Sequence, residues 1–278
     1  ANYFLRNHNL ILYKKTAREI RKLEMEDKNG INPKLLRGNI VLQGVFMTFP
    51  NSKVALYERL NCNITSGSTI VISGHNGSGK TTFCKNLCGL IRTSKGAIKF
   101  DDIEVNKLDL TWLRKNISYL PQEIDLFNLS LRENILINFH NSQLLQGLIE
   151  PKDLDGLILT ILRKTNLTSF VNSIPNGLDH TITNNGKHFP LGIRKRIGLA
   201  RSIINDGKVL IMDEPTESLD PLGAKSIYEI LSESRKKGKT IIVATHDTNI
   251  INNADAIIDL SSKPIPRIGI RKKHMETK

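Results

Sequence analysis

The order of apolar and polar positions divides the chain into two kinds of segment. Short runs with every neighbour apolar occur at Thr69-Ile70-Val71-Ile72-Ser73, Val209-Leu210-Ile211-Met212 and Thr240-Ile241-Ile242-Val243-Ala244. They lack the alternation of a strand with one wet face and suit strands covered on both faces. Residues 40–47, rich in Val, Ile, Leu and Phe, also read as a strand. Helical patterns alternate with these runs, over 80–91, 153–165, 193–204, 222–236 and 247–253. The alternation predicts an α/β fold with a mostly parallel sheet. Nearer the start, Tyr13, Ala17 and Ile20 fall at helical spacing within residues 10–28, and Asn29-Gly30 is a stop signal. That face is narrow, so this helix would be marginal alone. Residues 261–278 carry two prolines and a Lys/Arg cluster and read as a frayed tail. No internal repeat is visible.

Composition narrows the class. The 278 residues are 39% hydrophobic and 24% charged, values of a globular protein that argue against collagen, coiled coil and full disorder. There is no run of 18 apolar residues to span a membrane. Arg6, His8, Lys14 and Lys15 interrupt every apolar stretch near the start, so no signal peptide is expected. Three cysteines are too few for a disulfide framework and suit a reducing compartment. Cys84 and Cys88 share one helix face and read as small core residues.

The net charge of +13 at first suggests nucleic acid or an anionic surface. Its distribution weakens the first idea. Residues 1–37 carry +5, residues 261–278 carry +5, and the remaining 223 carry only +3. No nucleic-acid partner is therefore expected. The N-terminal share suits the cytoplasmic face of a membrane, where basic residues flank spanning helices. The chain begins at Ala1 without methionine, which suggests processing or excision from something larger.

Candidate chemistry lies at the ends of the buried runs. Gly74-His75-Asn76-Gly77-Ser78-Gly79-Lys80-Thr81 follows one predicted strand and opens a predicted helix. This is the pattern of a phosphate-binding loop. Its glycines let successive N–H groups face one anion, and the helix N-terminus adds its dipole. Lys80 is expected to reach the β- and γ-phosphates, Thr81 to bind Mg²⁺ and Thr82 to support the α-phosphate side. Asn76 and Ser78 complete the loop, and His75 is given no role. Val209-Leu210-Ile211-Met212 delivers Asp213-Glu214 to a strand end, where open α/β sheets bind ligands. Asp213 is expected to hold Mg²⁺ and Glu214 to polarise the attacking water.

These residues resemble the nucleotide-binding domain of ABC transporters, over about residues 38–260. The resemblance implies a P-loop NTPase core with a mostly parallel sheet, an antiparallel β subdomain and a helical signature subdomain. Asp213-Glu214-Pro215-Thr216-Glu217-Ser218-Leu219-Asp220-Pro221 is similar to the family's Walker B strand running into the D-loop. Thr245-His246-Asp247 looks like the switch histidine, which implies that His246 contacts the γ-phosphate. Tyr119-Leu120-Pro121-Gln122 looks like the Q-loop, with Gln122 sensing Mg²⁺ and water and coupling to a membrane partner. Phe49 stands where the family stacks an aromatic ring on adenine, and Phe keeps the ring face that stacking needs.

Asp125-Leu126-Phe127-Asn128-Leu129-Ser130-Leu131-Arg132-Glu133-Asn134-Ile135 is similar to exporter-type domains. The resemblance therefore implies an ATP-hydrolysing domain that powers export, with ATP and Mg²⁺ as cofactors. Its implied partners are a second ABC ATPase domain, in a homo- or heterodimer, and a transmembrane domain in the same full-length chain. It would sit on the cytoplasmic face of a membrane. Residues 1–37 are then a linker after a last transmembrane helix, residues 38–260 the ATP-binding domain and residues 261–278 a basic tail.

One segment departs from the family. Where the signature reads Leu-Ser-Gly-Gly-Gln, this chain has Phe189-Pro190-Leu191-Gly192-Ile193, in a register set by Arg194 to Arg201. Only Gly192 is kept. Pro190 has no hydroxyl and no N–H to offer a phosphate. The chain's own half-site is complete, but what it lends a partner is degraded. One alternative follows from this segment, a regulatory ATP-binding domain with little hydrolysis; a separate one is a soluble ABC ATPase that does not transport.

Overall fold

The computed structural model describes residues 30–48, 55–137, 139 and 151–270. The expected helix at 10–28, Phe49 and the last eight residues of the tail lie outside the described residues.

The three continuous apolar runs form the middle of one six-stranded sheet. They are β3 (Thr69–Ser73), β7 (Val209–Asp213) and β8 (Thr240–Ala244). With β6 (Ile117–Leu120), β9 (Ala256–Asp259) and β10 (Arg267–Ile270) the order is β10-β9-β3-β8-β7-β6. All neighbours are parallel except β10, which pairs antiparallel with β9. The expected parallel sheet is thus present, and the tail expected to fray from residue 261 instead contributes an edge strand at 267–270. Its residues are exposed, which hid it from any burial pattern.

Both faces of the sheet are covered, and the side-chain period of two separates them. Ile70, Ile72, Val209, Ile211, Ile242 and Ala244 enter one buried cluster with Phe83 and Leu87. Val71, Leu210, Met212, Ile241 and Val243 enter another with Ile197, Leu199 and Ile227. Phe83 and Leu87 belong to α1 (Lys80–Leu87). The second face is covered by α6 (Leu191–Ile203) and α7 (Pro221–Lys236), with α4 (Pro151–Lys164) and α5 (Thr168–Ser173) packed beyond.

A second, four-stranded antiparallel sheet runs β2-β1-β4-β5, from β1 (Ile40–Thr48), β2 (Ala55–Ile64), β4 (Lys95–Phe100) and β5 (Ile103–Glu104). It joins the first cluster through Ile40, Leu42, Leu56 and Tyr57. The Tyr57 hydroxyl donates to Oδ1 of Asn86 on α1 at 3.0 Å, fixing this sheet to the helix behind the phosphate loop. Burial pushes the Tyr57 phenol well above its ordinary value, so it stays a donor.

The segment similar to exporter-type domains is a folding device. After α2 (Leu110–Lys115) and β6, Ser130 caps α3 (Leu131–Leu136) and forms a reciprocal capping box with Glu133. The hydroxyl and N–H of Ser130 hold the Glu133 carboxyl below its ordinary value. Asn134 is fully buried and folds the preceding loop around itself. Its Oδ1 accepts from Phe127 N and its Nδ2 donates to Phe127 O, both at 2.9 Å. Arg201 of α6 donates to the Asn134 carbonyl and side chain at 3.0 and 2.9 Å. The segment therefore fastens the helical layer to α6. Ser130→Ala will lower the denaturant midpoint at unchanged m-value, a loss of about 1 kcal/mol typical of a missing N-cap. A change in m instead would mean that a subdomain had come loose.

Candidate ATP site at the strand ends

Four parallel strands bring their C-terminal ends to one place, which is where an open α/β sheet leaves room for a ligand. β3 ends in the glycine-rich loop, β7 in Asp213-Glu214, β8 in Thr245-His246 and β6 in Pro121-Gln122. They enclose a cleft of about 660 Å³, within the size range of small-molecule sites. Asn76, Gly77, Gly79, Lys80, Thr81, Thr82, Gln122, Glu214 and His246, all expected from sequence, line it. His75, given no role, also lines it, as do Leu56 of β2, Thr216 and Glu217. Gly74, Ser78 and Asp213 lie buried under the surface of the cleft.

The loop depends on glycine at defined points. Gly74 adopts φ 146, and a Cβ there would lie 2.4 Å from the Ser78 hydroxyl oxygen, so no side chain fits. Gly79, at φ 105, stands at the N-cap of α1 and provides no capping side chain. The first turn of α1 therefore keeps N–H groups available to an anion.

Lys80 is the hub of the cleft. Its side chain is only 8% exposed, and its ammonium donates to the Gly74 carbonyl at 2.7 Å. It also donates to Nε2 of His246 at 2.8 Å and lies 3.4 Å from Glu214 Oε1. With Lys80 donating, His246 Nε2 is the acceptor, which leaves Nδ1 to carry the ring proton. The position of His246 comes from its neighbours. Thr245 N donates to Ile72 O of β3 at 3.2 Å. Asp247 caps α8 (Thr248–Asn252) through Asn249 N and Ile250 N, and accepts from the Tyr228 hydroxyl at 2.7 Å.

Glu214 sits at φ 45, in the left-handed region that costs a non-glycine residue of order 1–3 kcal/mol. Its N–H donates to Ala244 O at 2.8 Å, tying the ends of β7 and β8 together. The turn this creates aims the carboxylate into the cleft. Asp213 is fully buried and neither carboxylate oxygen has a hydrogen-bond partner. Burial raises its pKa most; the nearby Thr81 hydroxyl opposes this without closing a formed bond, and repulsion from Glu214 adds to it. An orphaned buried carboxylate is costly unless a further charge or donor completes it. Beside it the Thr81 hydroxyl faces Gln122 Oε1 at 3.4 Å. These are hard oxygen donors on one side of a phosphate loop, a set that fits Mg²⁺ held by one carboxylate and completed by phosphate and water. Among the described residues no three His, Cys, Asp or Glu side chains form a preassembled metal cluster.

The departing segment opens α6. Pro190 is its N-cap at φ −52 and gives no side-chain hydrogen bond; instead the N–H groups of Ile193 and Arg194 turn back to the Pro190 carbonyl at 3.0 and 3.1 Å. Phe189 is buried edge-on against Phe170, with ring centroids 5.2 Å apart. Leu191 is 49% exposed at the helix start. Gly192 lets the Ser218 carbonyl approach: a Cβ there would be 3.3 Å from it.

Sequence reasoning missed two residues near the cleft. Lys195 of α6 is 3% exposed and its ammonium donates to the Gln122 carbonyl at 3.1 Å. Glu217 accepts from Gln122 Nε2 at 3.1 Å. Nothing in the local pattern marks either one, because both are surface-type residues whose contacts come from distant elements.

Comparison with known proteins bears on the family and the fold. The family model for ABC transporters matches residues 57–217. The chain is 27% identical over 248 residues to the multidrug resistance protein pgp-1 of Caenorhabditis elegans, covering 89% of this chain and 18% of that one. It is 31% identical over 255 residues to the ATP-dependent lipid A-core flippase of Legionella pneumophila (strain Paris), covering 91% of this chain and 41% of that one. The chain thus spans less than half the length of these relatives. Among solved structures, a bacterial Atm1-family ABC exporter with ATP bound superposes with a TM-score of 0.79 over 96% of this chain and 45% of the other, at 20% identity. That likeness concerns the fold.

Proposed function

The chain belongs to the ABC transporter family, and from that premise we propose that it is an ATP-hydrolysing domain powering export. The observation that carries the reading is the convergence of four strand ends: buried, unpartnered Asp213 lies beside Thr81, and Glu214 and His246 meet at Lys80. Lys80, freed from Glu214 and His246, binds the β- and γ-phosphates. Asp213, Thr81 and Gln122 would hold Mg²⁺, which supplies neutralisation of the phosphate charge. Glu214 orients and polarises the attacking water, His246 contacts the γ-phosphate and Phe49 stacks on adenine. Gly74, Asn76, Gly77, Ser78, Gly79 and Thr82 form the cradle. Hydrolysis needs positioning and charge stabilisation more than covalent chemistry, and these are what the strand ends supply.

We further propose that residues 38–260 form the ATP-binding domain, with residues 1–37 leading from a transmembrane domain of the same full-length chain. ATP held between this domain and a second one closes the pair, hydrolysis opens it, and the motion reaches the membrane helices through the Gln122 region. The site then works on the cytoplasmic face of a membrane. No helix among the described residues is long and apolar enough to cross one.

A second reading, a regulatory domain that binds ATP and scarcely hydrolyses it, draws on one observation: Pro190 places no donor side chain at the start of α6. Titration with a fluorescent ATP analogue tests what both readings share. Lys80→Ala removes at least one charge-assisted hydrogen bond worth about 1.5–3 kcal/mol, so affinity will fall about tenfold to a hundredfold or more. Undiminished binding by Lys80→Ala would remove the cleft from consideration.

A further inference from the structure

Gln122 is held by three groups, two of which have no part in the chemistry above. Its backbone carbonyl accepts from the Lys195 ammonium at 3.1 Å, which ties the loop after β6 to α6. Its side-chain Nε2 donates to Glu217 Oε2 at 3.1 Å, and its Oε1 faces the Thr81 hydroxyl at 3.4 Å. Burial pushes the Lys195 ammonium down from its ordinary value, and the carboxylates of Glu217, then Asp213, then Glu214 pull it back. A cation buried in α6 is thus compensated by the acidic groups around Gln122.

A primary amide has a donor end and an acceptor end of nearly the same shape, so packing alone does not choose its direction. A carboxylate only accepts. Glu217 therefore takes the NH₂ end, and the oxygen end must face Thr81. Reversal would set NH₂ against the position beside Thr81 and Asp213, where it would oppose a cation. We infer that Glu217 is a positioning residue that orients the Gln122 amide, so that its oxygen serves the metal side of the cleft, while Lys195 anchors the backbone of the same residue. This rests on the reading of Gln122 as a metal-side ligand and adds the device that selects its orientation. It also gives the turn after Glu214 a task within its own cleft.

The test is a Mg²⁺ titration of fluorescent ATP-analogue binding to the 278-residue chain, for the parent, Glu217→Ala, Gln122→Ala and the double variant. Glu217 is exposed, so its truncation leaves the core intact. Partners that orient metal ligands typically change metal affinity about 10–100-fold. The half-saturating Mg²⁺ concentration should rise about tenfold in each single variant. The double variant should rise no further, since Glu217 acts through Gln122. A parental Mg²⁺ dependence in Glu217→Ala alongside a raised one in Gln122→Ala overturns the orienting role and leaves the site reading standing. Full additivity in the double variant also overturns it, because Glu217 would then act by charge alone. A parental Mg²⁺ dependence in both single variants overturns the metal-side role of Gln122 itself.

Discussion

Replacing Glu214 by Gln will reduce steady-state ATP turnover about 10²–10⁴-fold, the usual contribution of a group that handles a proton in the transition state, while ATP binding persists. The substitution keeps shape and volume. The left-handed turn at φ 45 and the Glu214 N–H bond to Ala244 O are backbone features and survive it. What disappears is the negative charge 3.4 Å from the Lys80 ammonium and 3.5 Å from His246 Nε2. Lys80 then loses one charged neighbour that competes with phosphate for it, so affinity for ATP should stay level or improve. Phosphate release and analogue binding measured on the same preparations separate the two proposed readings. Turnover lost with binding kept supports a hydrolysing domain. Equal turnover in parent and variant would leave the regulatory reading in its place.

The second large effect is a gain. Pro190→Ser with Leu191→Gly should raise turnover about tenfold to a hundredfold, as expected when charge-assisted bonds of about 1.5–3 kcal/mol each are restored to a phosphate. Pro190 already has N-cap geometry, at φ −52 and ψ 146, and serine is a preferred residue there. Glycine at the first helical position costs less than the about 0.5–1 kcal/mol of a helix interior. The fold should therefore change little, and the buried Phe189–Phe170 contact lies outside the substitution. Under the proposed pairing with a second domain, the donors restored at position 190 would act on ATP bound by that domain, so the gain should depend on protein concentration. Flat turnover at every concentration, with ATP binding unchanged, would end this account of the signature segment. A gain independent of concentration would place its action within one chain.

Much of this was legible along the chain because the signals are local. A strand buried on both faces has to be apolar throughout, so β3, β7 and β8 were visible within a residue of their observed ends. A phosphate loop has to be glycine-rich between a strand and a helix, and the sequence around Gly74 and Lys80 carries that order. The antiparallel sheet was less visible beyond β1. β2 reads Ala-Leu-Tyr-Glu-Arg-Leu-Asn-Cys-Asn-Ile, and its register with β1 shifts at irregularities that break any clean alternation. β10 escaped because an exposed edge strand has no face to bury.

The α/β class, the phosphate loop, the adjacent acids Asp213 and Glu214 and the missing donor at Pro190 are all legible along the chain. Each of these follows from residue type at short spacing. Which groups meet was settled by the folded arrangement. It left both Asp213 oxygens without a partner, set Lys80 between Glu214 and His246, and closed Lys195 and Glu217 around Gln122. Lys195 and Gln122 are 73 positions apart, and Gln122 and Glu217 are 95 apart. Contacts at such separations depend on the order in which strands pair in the sheet, and no local periodicity encodes that order.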